Sequence, residues 1–530
     1  MDNSTNILVQ GPSKFIEYSL DNIDKRFAVF TIALFLAGVY MYNARDPHGL
    51  KKIPAIHRSR FVDAFQTGVY WRFLFPRLFP YAREGYYKYS KNGKPFKIWM
   101  GLFQNWVYVL PPKYLARIKN QGLSELSFRS VVDTYLVPKF SSGHFDNFEI
   151  QVASKLVNGN LSDIKPLIQV RTEHILDKEI GNPQVWKRLH AHTLAMQIMK
   201  YASGRVVFGE TLCENEAFLQ AMERYSTKVM YYGLILRWIN LGRLRDYIMY
   251  MVHWKHRRDL AIATRYVTDH IEERKRANAN LSEEEKPVDC IQWAMDQPLP
   301  DEQKTPEQIA HRLLHLSAGL IGTPATVLVN LLFDTISHKE YLPELRAEIT
   351  KCVSEDGRWS ESAMAKMKKF DSFIQECFRI TPGIVSLTGW RLVTSETFRF
   401  DETLELPKGT LITFPTMFMQ HDSDLYPEAK KFDGYRFYRM REEAKKLETA
   451  SNISDTRNDW LAFGHGRQAC PGRFYAIKLL KTILGELITR YDIRYAGGDR
   501  ERPKTLDLEP VIAPDLSVEL EFRSVNARST

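Results

Sequence analysis

Apolar and polar residues repeat along this chain with two different periods. Between residues 60 and 380 most apolar positions recur at a spacing of about 3.6 residues, which is the period of an amphipathic helix. Runs typical of β-strands are found mainly at 390–414 and 511–522. The pattern therefore predicts a mostly α-helical fold with small β-sheets.

One predicted helix is apolar on nearly every side. It starts at Thr305, where a threonine N-cap is followed by a proline and by Gln308 in a capping-box pattern, and it can continue to about Ser337. Its uncharged middle contains Gly-Leu-Ile-Gly-Thr-Pro at 319–324. The proline removes one helical hydrogen bond, which frees a carbonyl and makes room for a ligand or water. Alternatively, Thr323 merely bonds back to an upstream carbonyl at a structural kink.

A second helical pattern, over 370–380, combines an apolar stripe with a Glu-x-x-Arg pair on another face. Glu376 and Arg379 are three residues apart, so their side chains are neighbours. Because the pair lies off the stripe, periodicity alone predicts that it is exposed, where such pairs contribute little stability. The uncharged run that follows leaves a buried pair open, and that pair would need further partners. Arg436 is a candidate third member.

The most informative segment reads Phe-Gly-His-Gly-Arg-Gln-Ala-Cys-Pro-Gly at 463–472. Its glycines allow a tight loop, Cys470 ends the loop, and Pro471 opens a predicted helix whose apolar stripe begins at Phe474. The N-terminus of a helix favours the thiolate of a cysteine through its unpaired N–H groups and its dipole. The segment can therefore present an anionic sulfur to one metal ion from one side.

Composition and charge narrow the class of protein. Hydrophobic residues make up 44% of the 530 positions, which suffices for a large core and excludes a disordered or fibrous chain. The five cysteines are scattered without Cys-x-x-Cys spacing, which argues against a disulfide framework and favours a reducing compartment. The net charge of +10 suits acidic partners or anionic lipid. Since no recognition motif accompanies the basic groups, we expect no nucleic-acid binding.

An uncharged apolar segment near the N-terminus predicts a membrane anchor. It runs from Phe27 to Tyr42 and reaches 18 residues when Asn43 and Ala44 are included. A helix of that length spans about 27 Å, close to the hydrocarbon thickness of the endoplasmic reticulum. A cleaved signal peptide and a buried core helix are the alternatives. Five Lys or Arg residues follow the segment within 20 positions and three precede it, which places the C-terminal portion in the cytosol.

Together these motifs resemble the cytochrome P-450 superfamily of haem-thiolate monooxygenases. The haem-binding loop of that family reads Phe-x-x-Gly-x-x-x-Cys-x-Gly, which this chain matches at Phe463, Gly466, Cys470 and Gly472. The remaining family motifs occur in family order, namely the threonine of the apolar helix, the Glu-x-x-Arg pair, Arg391, Arg436 and then the cysteine loop. With the anchor, the resemblance covers essentially the whole chain. The amino-acid sequence of the loop is similar to that of the fungal secondary-metabolism branch of the family.

The resemblance implies a cofactor and a role for each of these residues. Haem (heme, iron protoporphyrin IX) would be held by Cys470 as the axial thiolate, with Phe463 beside the sulfur and Arg391 paired with a propionate. Gly466 and Gly472 would shape the haem-binding loop. The structural residues behind the haem, and therefore buried, would be Glu376, Arg379 and Arg436. Thr323 would hold the hydrogen bond and water that deliver protons.

This chain departs from the family pattern in two places. Neutral Gln468 stands where the family usually has an arginine or histidine that contacts a propionate. Gly322 precedes Thr323, where the family often has an acid or, in fungal relatives, a histidine. A Trp-x-x-x-Arg haem contact is not located between 100 and 200. The neutralisation of one propionate and the delivery of protons are therefore the open questions.

The resemblance implies a monooxygenase that hydroxylates or further oxidises a lipophilic secondary metabolite, with a terpenoid or mixed polyketide or indole skeleton. It would use O2 and electrons from NADPH–cytochrome P-450 reductase, because the chain has no dinucleotide-binding fingerprint. A haem-thiolate rearrangement or dehydration enzyme and a non-catalytic carrier are the alternatives. We expect a lumenal segment at 1–26, a single-pass anchor of the endoplasmic reticulum membrane at 27–44, a basic hinge at 45–60 and a cytosolic catalytic domain at 61–530.

Overall fold

The computed structural model describes most of the chain after residue 77. The described residues are 31, 50, 52–56, 78–99, 106–135, 148–236, 247–248, 250–251, 253–278, 281–298, 300, 303–381, 385–445, 452–498, 500–507 and 511–525. The expected lumenal segment at 1–26, the expected anchor at 27–44 apart from Thr31, and most of the hinge at 45–60 lie outside them.

Helices dominate the described residues, as the apolar period predicted. In the first half of the chain they are α1 (Leu78–Lys88), α2 (Leu115–Ile118), α3 (Phe128–Tyr135), α4 (Phe148–Gln151), α5 (Leu161–Glu179), α6 (Ala191–Glu214), α7 (Glu216–Leu236), α8 (Trp254–Ala277) and α9 (Cys290–Met295). In the second half they are α10 (Pro306–Ser337), α11 (Leu342–Asp356), α12 (Glu361–Lys366), α13 (Lys368–Ile380), α14 (Thr416–Gln420), α15 (Arg436–Lys445) and α16 (Arg473–Arg490).

The long helix α10 runs through the middle of the helical core. The Thr305 side chain accepts a hydrogen bond from the Gln308 N–H at 3.3 Å, so the predicted N-cap is confirmed. The side-chain carbonyl oxygen of Gln308 has no partner among the described residues. The second bond of the capping box, from the Thr305 N–H to this oxygen, is therefore not made. Of the described helices, α10 alone is long and apolar enough to cross a membrane, but 72% of its most apolar window is buried. It is therefore a core helix, packed against α6, α7, α8 and α16.

The β-structure is small and lies mainly beside the helical core. A six-stranded sheet has the order β1-β2-β3-β9-β6-β4, and its members are β1 (Ala55–Ile56), β2 (Phe96–Trp99), β3 (Trp106–Val109), β4 (Leu126–Ser127), β6 (Thr388–Val393) and β9 (Leu411–Phe414). A three-stranded sheet joins β10 (Tyr491–Tyr495), β13 (Glu519–Ser524) and β5 (Lys187–His190) in the order β10-β13-β5. Two hairpin pairs are β7 (Thr397–Arg399) with β8 (Glu405–Pro407), and β11 (Leu506–Asp507) with β12 (Ile512–Ala513).

Two hydrophobic cores result, and the cysteine loop enters between them. The larger core joins the helices around α10, and the smaller one lies between the six-stranded sheet and α1. Leu461 belongs to the smaller core, whereas Phe463, two residues later, packs against the larger one. The chain thus passes from one core to the other as it reaches Cys470.

Candidate active site

The cysteine loop is closed by its own backbone. The Cys470 N–H donates to the Phe463 carbonyl at 2.8 Å, and the Ala469 N–H donates to the Gly466 carbonyl at 3.0 Å. The Phe463 ring lies 5.6 Å from the ring of Phe378 on α13. Helix α16 begins at Arg473 with Gly472 as its N-cap, so Pro471 precedes the helix and does not open it as predicted. The helix starts three residues beyond the cysteine.

The Cys470 sulfur faces a recess inside the protein. Cys470 is exposed, whereas the other four cysteines, Cys213, Cys290, Cys352 and Cys377, are buried. Nevertheless, removal from bulk water raises the pKa of the Cys470 thiol, while the Gly472 N–H and the positive charge of Arg473 oppose that rise. A side chain that has free surface and is still desolvated lies in a concavity. The N–H donor and the cation would both stabilise an anionic sulfur there.

The two glycines that match the family pattern differ, because a side chain would clash at Gly466 and would fit at Gly472. Gly466 has a φ of +66°, and a Cβ placed on it would lie 2.3 Å from the Lys119 carbonyl oxygen. The Arg467 N–H donates to that same oxygen at 2.9 Å, so the loop docks on the backbone after α2. Gly472 has an ordinary φ of −87°, and a Cβ there would lie 3.9 Å from Leu320 on α10. The loop and the long apolar helix are thus neighbours.

Arg391 is a buried cation without a carboxylate partner. Its side chain is 2% exposed and donates to the carbonyls of Trp390 at 2.7 Å and His465 at 3.1 Å. It forms no ion pair within the described part of the chain, its Nε has no acceptor there, and burial lowers its pKa to about 10. The positive charges of Lys119 and Arg391 add to burial in lowering the pKa of His465. The surroundings of the loop are therefore positive and suited to an anionic group.

Gln468, which replaces the charged residue of the family pattern, fastens the loop to the sheet. Its side-chain carbonyl accepts a hydrogen bond from the Phe128 N–H at 2.7 Å, and its amide donates to the Leu126 carbonyl at 2.6 Å. Both bonds go to the backbone where β4 passes into α3. Gln468 is thus engaged with protein and supplies no charge toward a propionate.

One face of α10 remains accessible although the rest of the helix is buried. It carries His315, Gly319, Gly322, Thr323 and Thr326, whose spacings of three and four residues place them on one side of a helix. Gly319 is exposed, and a Cβ on it would have no neighbour within 4 Å. The half-buried Thr323 hydroxyl has no hydrogen-bond partner among the described residues. The hydroxyl that bonds back to a helix carbonyl belongs to Thr326, which donates to the Gly322 oxygen at 3.0 Å.

The carbonyl that Pro324 leaves without a helical donor is that of Leu320. It accepts a hydrogen bond from the Ser203 hydroxyl on α6 at 3.1 Å. The sequence predicted that this freed carbonyl would make room for a ligand or water, but a protein side chain takes it instead. The accessible surface of α10 lies at its glycines and Thr323.

The glutamate-arginine pair is fully buried, so the exposure predicted from periodicity alone was wrong. Arg379 donates two bonds of 2.8 Å to the Glu376 carboxylate, and both side chains are 0% exposed. Arg436 donates to the same carboxylate at 3.2 Å, and the Asp433 N–H donates to it at 2.9 Å. The two arginines also donate to backbone carbonyls of Gln420, Pro427, Ala429 and Lys431. This buried cluster fixes the segment between α14 and α15 against α13.

Sequence reasoning did not identify three polar residues close to the loop. The Asn158 amide donates to the Pro471 carbonyl at 2.8 Å, Lys119 supplies the backbone on which Gly466 rests, and Ser203 bonds to Leu320. Asn158 lies within 100–200, where no Trp-x-x-x-Arg contact was located. None of the three belongs to a motif, and each is more than 100 positions from its partner, so a linear pattern carries no signal for them.

An accessible cysteine at the end of a glycine loop, beside a buried unpaired arginine and opposite an apolar helix, is the arrangement of a haem-thiolate protein. The described chain fits haem, since it offers one sulfur ligand in a recess and positive charge for the propionates. Comparison with known proteins gives the family. The chain belongs to the cytochrome P-450 family, whose model matches residues 152–522. Membership shows a haem-dependent monooxygenase with cysteine thiolate ligation.

The relatives are fungal enzymes of secondary metabolism. Aspergilol synthase of Aspergillus ustus is 55% identical over 496 residues, which are 93% of this chain and 90% of that protein. The cytochrome P-450 monooxygenase sttB of Aspergillus terreus is 45% identical, over 93% of this chain and 95% of its own length.

A solved structure gives the fold. The retinoic-acid-bound cyanobacterial CYP120A1 superimposes with a TM-score of 0.62 at 16% identity, covering 89% of this chain and 99% of that structure. That similarity confirms the mostly helical fold.

Proposed function

We propose that this chain is a monooxygenase that hydroxylates a lipophilic secondary metabolite, with Cys470 as the haem ligand. The observation that carries the proposal is the accessible Cys470 sulfur, which no other cysteine of the chain matches. A cysteine thiolate donates electron density to haem iron and favours O–O cleavage, which suits the bound cofactor for insertion of oxygen into C–H bonds. The protein supplies binding, orientation and exclusion of water.

Seven further residues would hold the cofactor or support the core around it. Arg391 would pair with a propionate, because its guanidinium is buried and its Nε lacks an acceptor in the described structure. Phe463 would pack beside the sulfur, and Gly466 and Gly472 would keep the loop close to the cofactor. The Glu376 cluster, with Arg379 and Arg436, would hold the core behind it. The Gln468 side chain already bonds to backbone groups of Leu126 and Phe128. We therefore assign to Arg391 the positive charge that would pair with a propionate.

Thr323 would handle protons on the oxygen side. Its hydroxyl lies on the accessible face of α10 and has no partner in the described part of the chain, so it can bond to water or to a ligand. Gly322 has no acid to relay a proton. We propose that ordered water, or a hydroxyl of the substrate, occupies that position and exchanges protons with Thr323.

The substrate class follows from the relatives and from the apolar helix. Aspergilol synthase and the monooxygenase sttB, to which this chain is similar, belong to fungal secondary metabolism. The accessible face of α10 carries small residues, and the same helix is otherwise apolar. We propose a terpenoid or a mixed polyketide or indole skeleton as substrate, in line with secondary metabolism.

Electrons would come from NADPH–cytochrome P-450 reductase at the outer side of the cysteine loop. Arg467 and Lys119 are exposed there, and Lys155 is exposed on the helical segment whose Asn158 bonds to the loop. The Arg473 guanidinium lies 4.4 Å from the ring centre of Phe474, which is 38% exposed. Basic side chains around an exposed aromatic ring suit an acidic docking partner.

Membrane attachment is supported by a second surface besides the sequence at 27–44. Four apolar side chains at the start of α8 and in the helical residues before it are each more than half exposed, namely Tyr247, Tyr250, Met251 and Trp254. Arg257 lies 4.0 Å from the ring centre of Tyr250, so positive charge borders these exposed apolar side chains. Aromatic and basic side chains together suit a lipid interface. We propose a single-pass anchor in the endoplasmic reticulum membrane at 27–44, with the catalytic domain, 61–530, on the cytosolic side.

The reduced carbon-monoxide difference spectrum of the purified full-length chain tests the proposal. We expect the red-shifted Soret band of thiolate-ligated haem, and its loss in Cys470→Ala. Turnover with labelled O2, NADPH and reductase should then place the label in the product. Turnover without electrons would instead indicate a rearrangement or dehydration enzyme, for which the missing acid at Gly322 is the motive. Ligand binding with no turnover under either condition would indicate a carrier.

A further inference from the structure

Helix α10 is continuous but lacks one backbone hydrogen bond, and a side chain of another helix replaces it. Pro324 has no N–H, so the Leu320 carbonyl four residues earlier loses its helical donor. Ser203 of α6 donates to that carbonyl at 3.1 Å, and the Ser203 side chain is only 1% exposed. A buried carbonyl without a donor is costly, so the hydroxyl compensates directly for the proline.

Ser203 is itself held by a second hydroxyl. The Tyr475 hydroxyl donates to the Ser203 oxygen at 3.2 Å, and Tyr475 is 0% exposed. A carbonyl can only accept, so the serine proton must point to Leu320, and the tyrosine proton must point to the serine. The direction of both bonds is therefore fixed as Tyr475 to Ser203 to Leu320.

The chain of bonds joins the two sides of the proposed haem site. Tyr475 lies on α16, five residues after Cys470, while Leu320 lies on α10, three residues before Thr323. A Cβ on Gly472 would lie 3.9 Å from the Leu320 side chain. Any shift of the turn from Leu320 to Pro324 would therefore move the Thr323 hydroxyl relative to the cysteine loop.

We propose that Ser203, supported by Tyr475, is a positioning residue for the oxygen side of the site. It fixes the turn of α10 from Leu320 to Pro324, where the helical hydrogen bond is missing, and so keeps Thr323 on the accessible face of the helix. The inference rests on the proposed monooxygenase function, because it assigns a purpose to that orientation. Ser203 acts through Leu320 and Thr323 and need not contact substrate.

Amide hydrogen exchange tests the structural half of the proposal. In the haem-loaded, full-length chain we expect Ser203→Ala to accelerate exchange roughly tenfold in peptides covering 316–330. The matched control is Ser317→Ala, which removes a buried hydroxyl that donates to the Leu314 carbonyl at 2.7 Å. That bond lies in a part of α10 that has no proline to remove a helical hydrogen bond. Equal exchange in the two variants would overturn the proposal.

A double-mutant cycle with Pro324 separates positioning from general loss of packing. Pro324→Ala restores the N–H that Leu320 lacks, so Ser203→Ala should then accelerate exchange less than about threefold. An undiminished effect of Ser203→Ala in the Pro324→Ala background would show that the serine does not compensate for the hydrogen bond that Pro324 cannot donate. Tyr475→Phe should give a smaller acceleration than Ser203→Ala, since it leaves the bond to Leu320 in place.

The functional half is read as product formed per NADPH consumed. In a parent enzyme that incorporates labelled oxygen, we expect Ser203→Ala to lower this ratio severalfold with haem content unchanged, and Ser317→Ala to leave it unaltered. A ratio in Ser203→Ala equal to that of the parent would overturn the positioning role. A parent that forms product without NADPH would contradict the proposed function instead, while the exchange experiment would still report on the turn from Leu320 to Pro324.

Discussion

The Lys119 carbonyl oxygen occupies the place that a side chain on Gly466 would need. A Cβ at Gly466 would lie 2.3 Å from that oxygen, and the Arg467 N–H already donates to it at 2.9 Å. The cysteine loop is thus docked by backbone against backbone. Neither partner can move without displacing the loop, because the contact involves no flexible side chain.

Gly466→Ala should therefore strongly reduce haem incorporation. The substitution adds a clash to the cost of a left-handed backbone, which is about 1–2 kcal/mol for a residue with a Cβ. The haem-to-protein ratio of the purified variant measures the loss. Gly497→Ala is the control, since Gly497 also has a positive φ, of +86°, but has no neighbour within 4 Å. Similar losses in both variants would assign the effect to backbone strain and not to the contact with Lys119.

The cysteines of the haem-free chain should differ in reactivity. Iodoacetamide should label Cys470 before the four buried cysteines, and haem should protect it. Burial raises the pKa of the Cys470 thiol, so its thiolate fraction should still be small at the ordinary cysteine pKa of about 8.5 and should grow at higher pH. Peptide mass spectrometry across a pH series measures this. Faster labelling of Cys213 than of Cys470 would contradict the recess described here.

Arg391→Gln should weaken haem binding. If Arg391 pairs with a propionate as proposed, removing this charged hydrogen-bond donor costs roughly 1.5–3 kcal/mol, or about a tenfold to a hundredfold rise in the dissociation constant. Haem transfer to apomyoglobin gives the relative affinities. Arg399→Gln is the matched control, because Arg399 is 70% exposed and pairs with Glu405 on the surface. Unchanged haem retention in Arg391→Gln would remove Arg391 from the site.

Glu376→Gln should destabilise the fold by about 3–5 kcal/mol, because it leaves two buried guanidinium groups without a counter-charge. The free energy of unfolding from urea titration measures the change. The exposed pair offers a control, since Glu405→Gln should cost no more than about 1 kcal/mol. Comparable costs in the two variants would mean that Glu376 adds nothing beyond a surface ion pair.

Thr323→Ala should uncouple NADPH consumption from product formation. The variant should keep its haem spectrum and consume NADPH, yet form roughly tenfold less product per NADPH, because a group placed for proton transfer contributes at least that much. Oxygen uptake, peroxide release and product are measured together. Thr326→Ala should behave like the parent, because the Thr326 hydroxyl already donates its proton to the Gly322 carbonyl. Full coupling in Thr323→Ala would exclude this hydroxyl from the proton path.

The sequence predicted most reliably those elements that have strong local signals. Helix α10 was predicted to within a residue, because Thr305 and Pro306 mark its start and its middle is apolar throughout. The strands β2 and β3 were missed. Val107, Tyr108 and Val109 are all buried, so β3 shows none of the alternation by which a half-exposed strand is recognised.

The candidate site was only partly readable for a related reason. Periodicity reports which face of a helix is apolar, and Glu376 lies on a polar face that is nevertheless buried by Arg436 and the backbone near it. Likewise, Phe474 was assigned to an apolar stripe but is exposed at the start of α16. The bond from Ser203 to Leu320 spans 117 positions. Such contacts depend on tertiary packing, which a local pattern does not contain.

The buried charge of Arg391, which has no carboxylate partner in the described structure, bears on how this enzyme matures in the cell. A cation held away from water, with no carboxylate beside it in the described structure, lowers the stability of the polypeptide before its cofactor arrives. Haem carries two negative propionates, so its binding would offset that cost and stabilise the native state by mass action. Newly made chains should therefore survive proteolysis in proportion to the haem available, and a host starved of iron would accumulate less enzyme even with unchanged transcription.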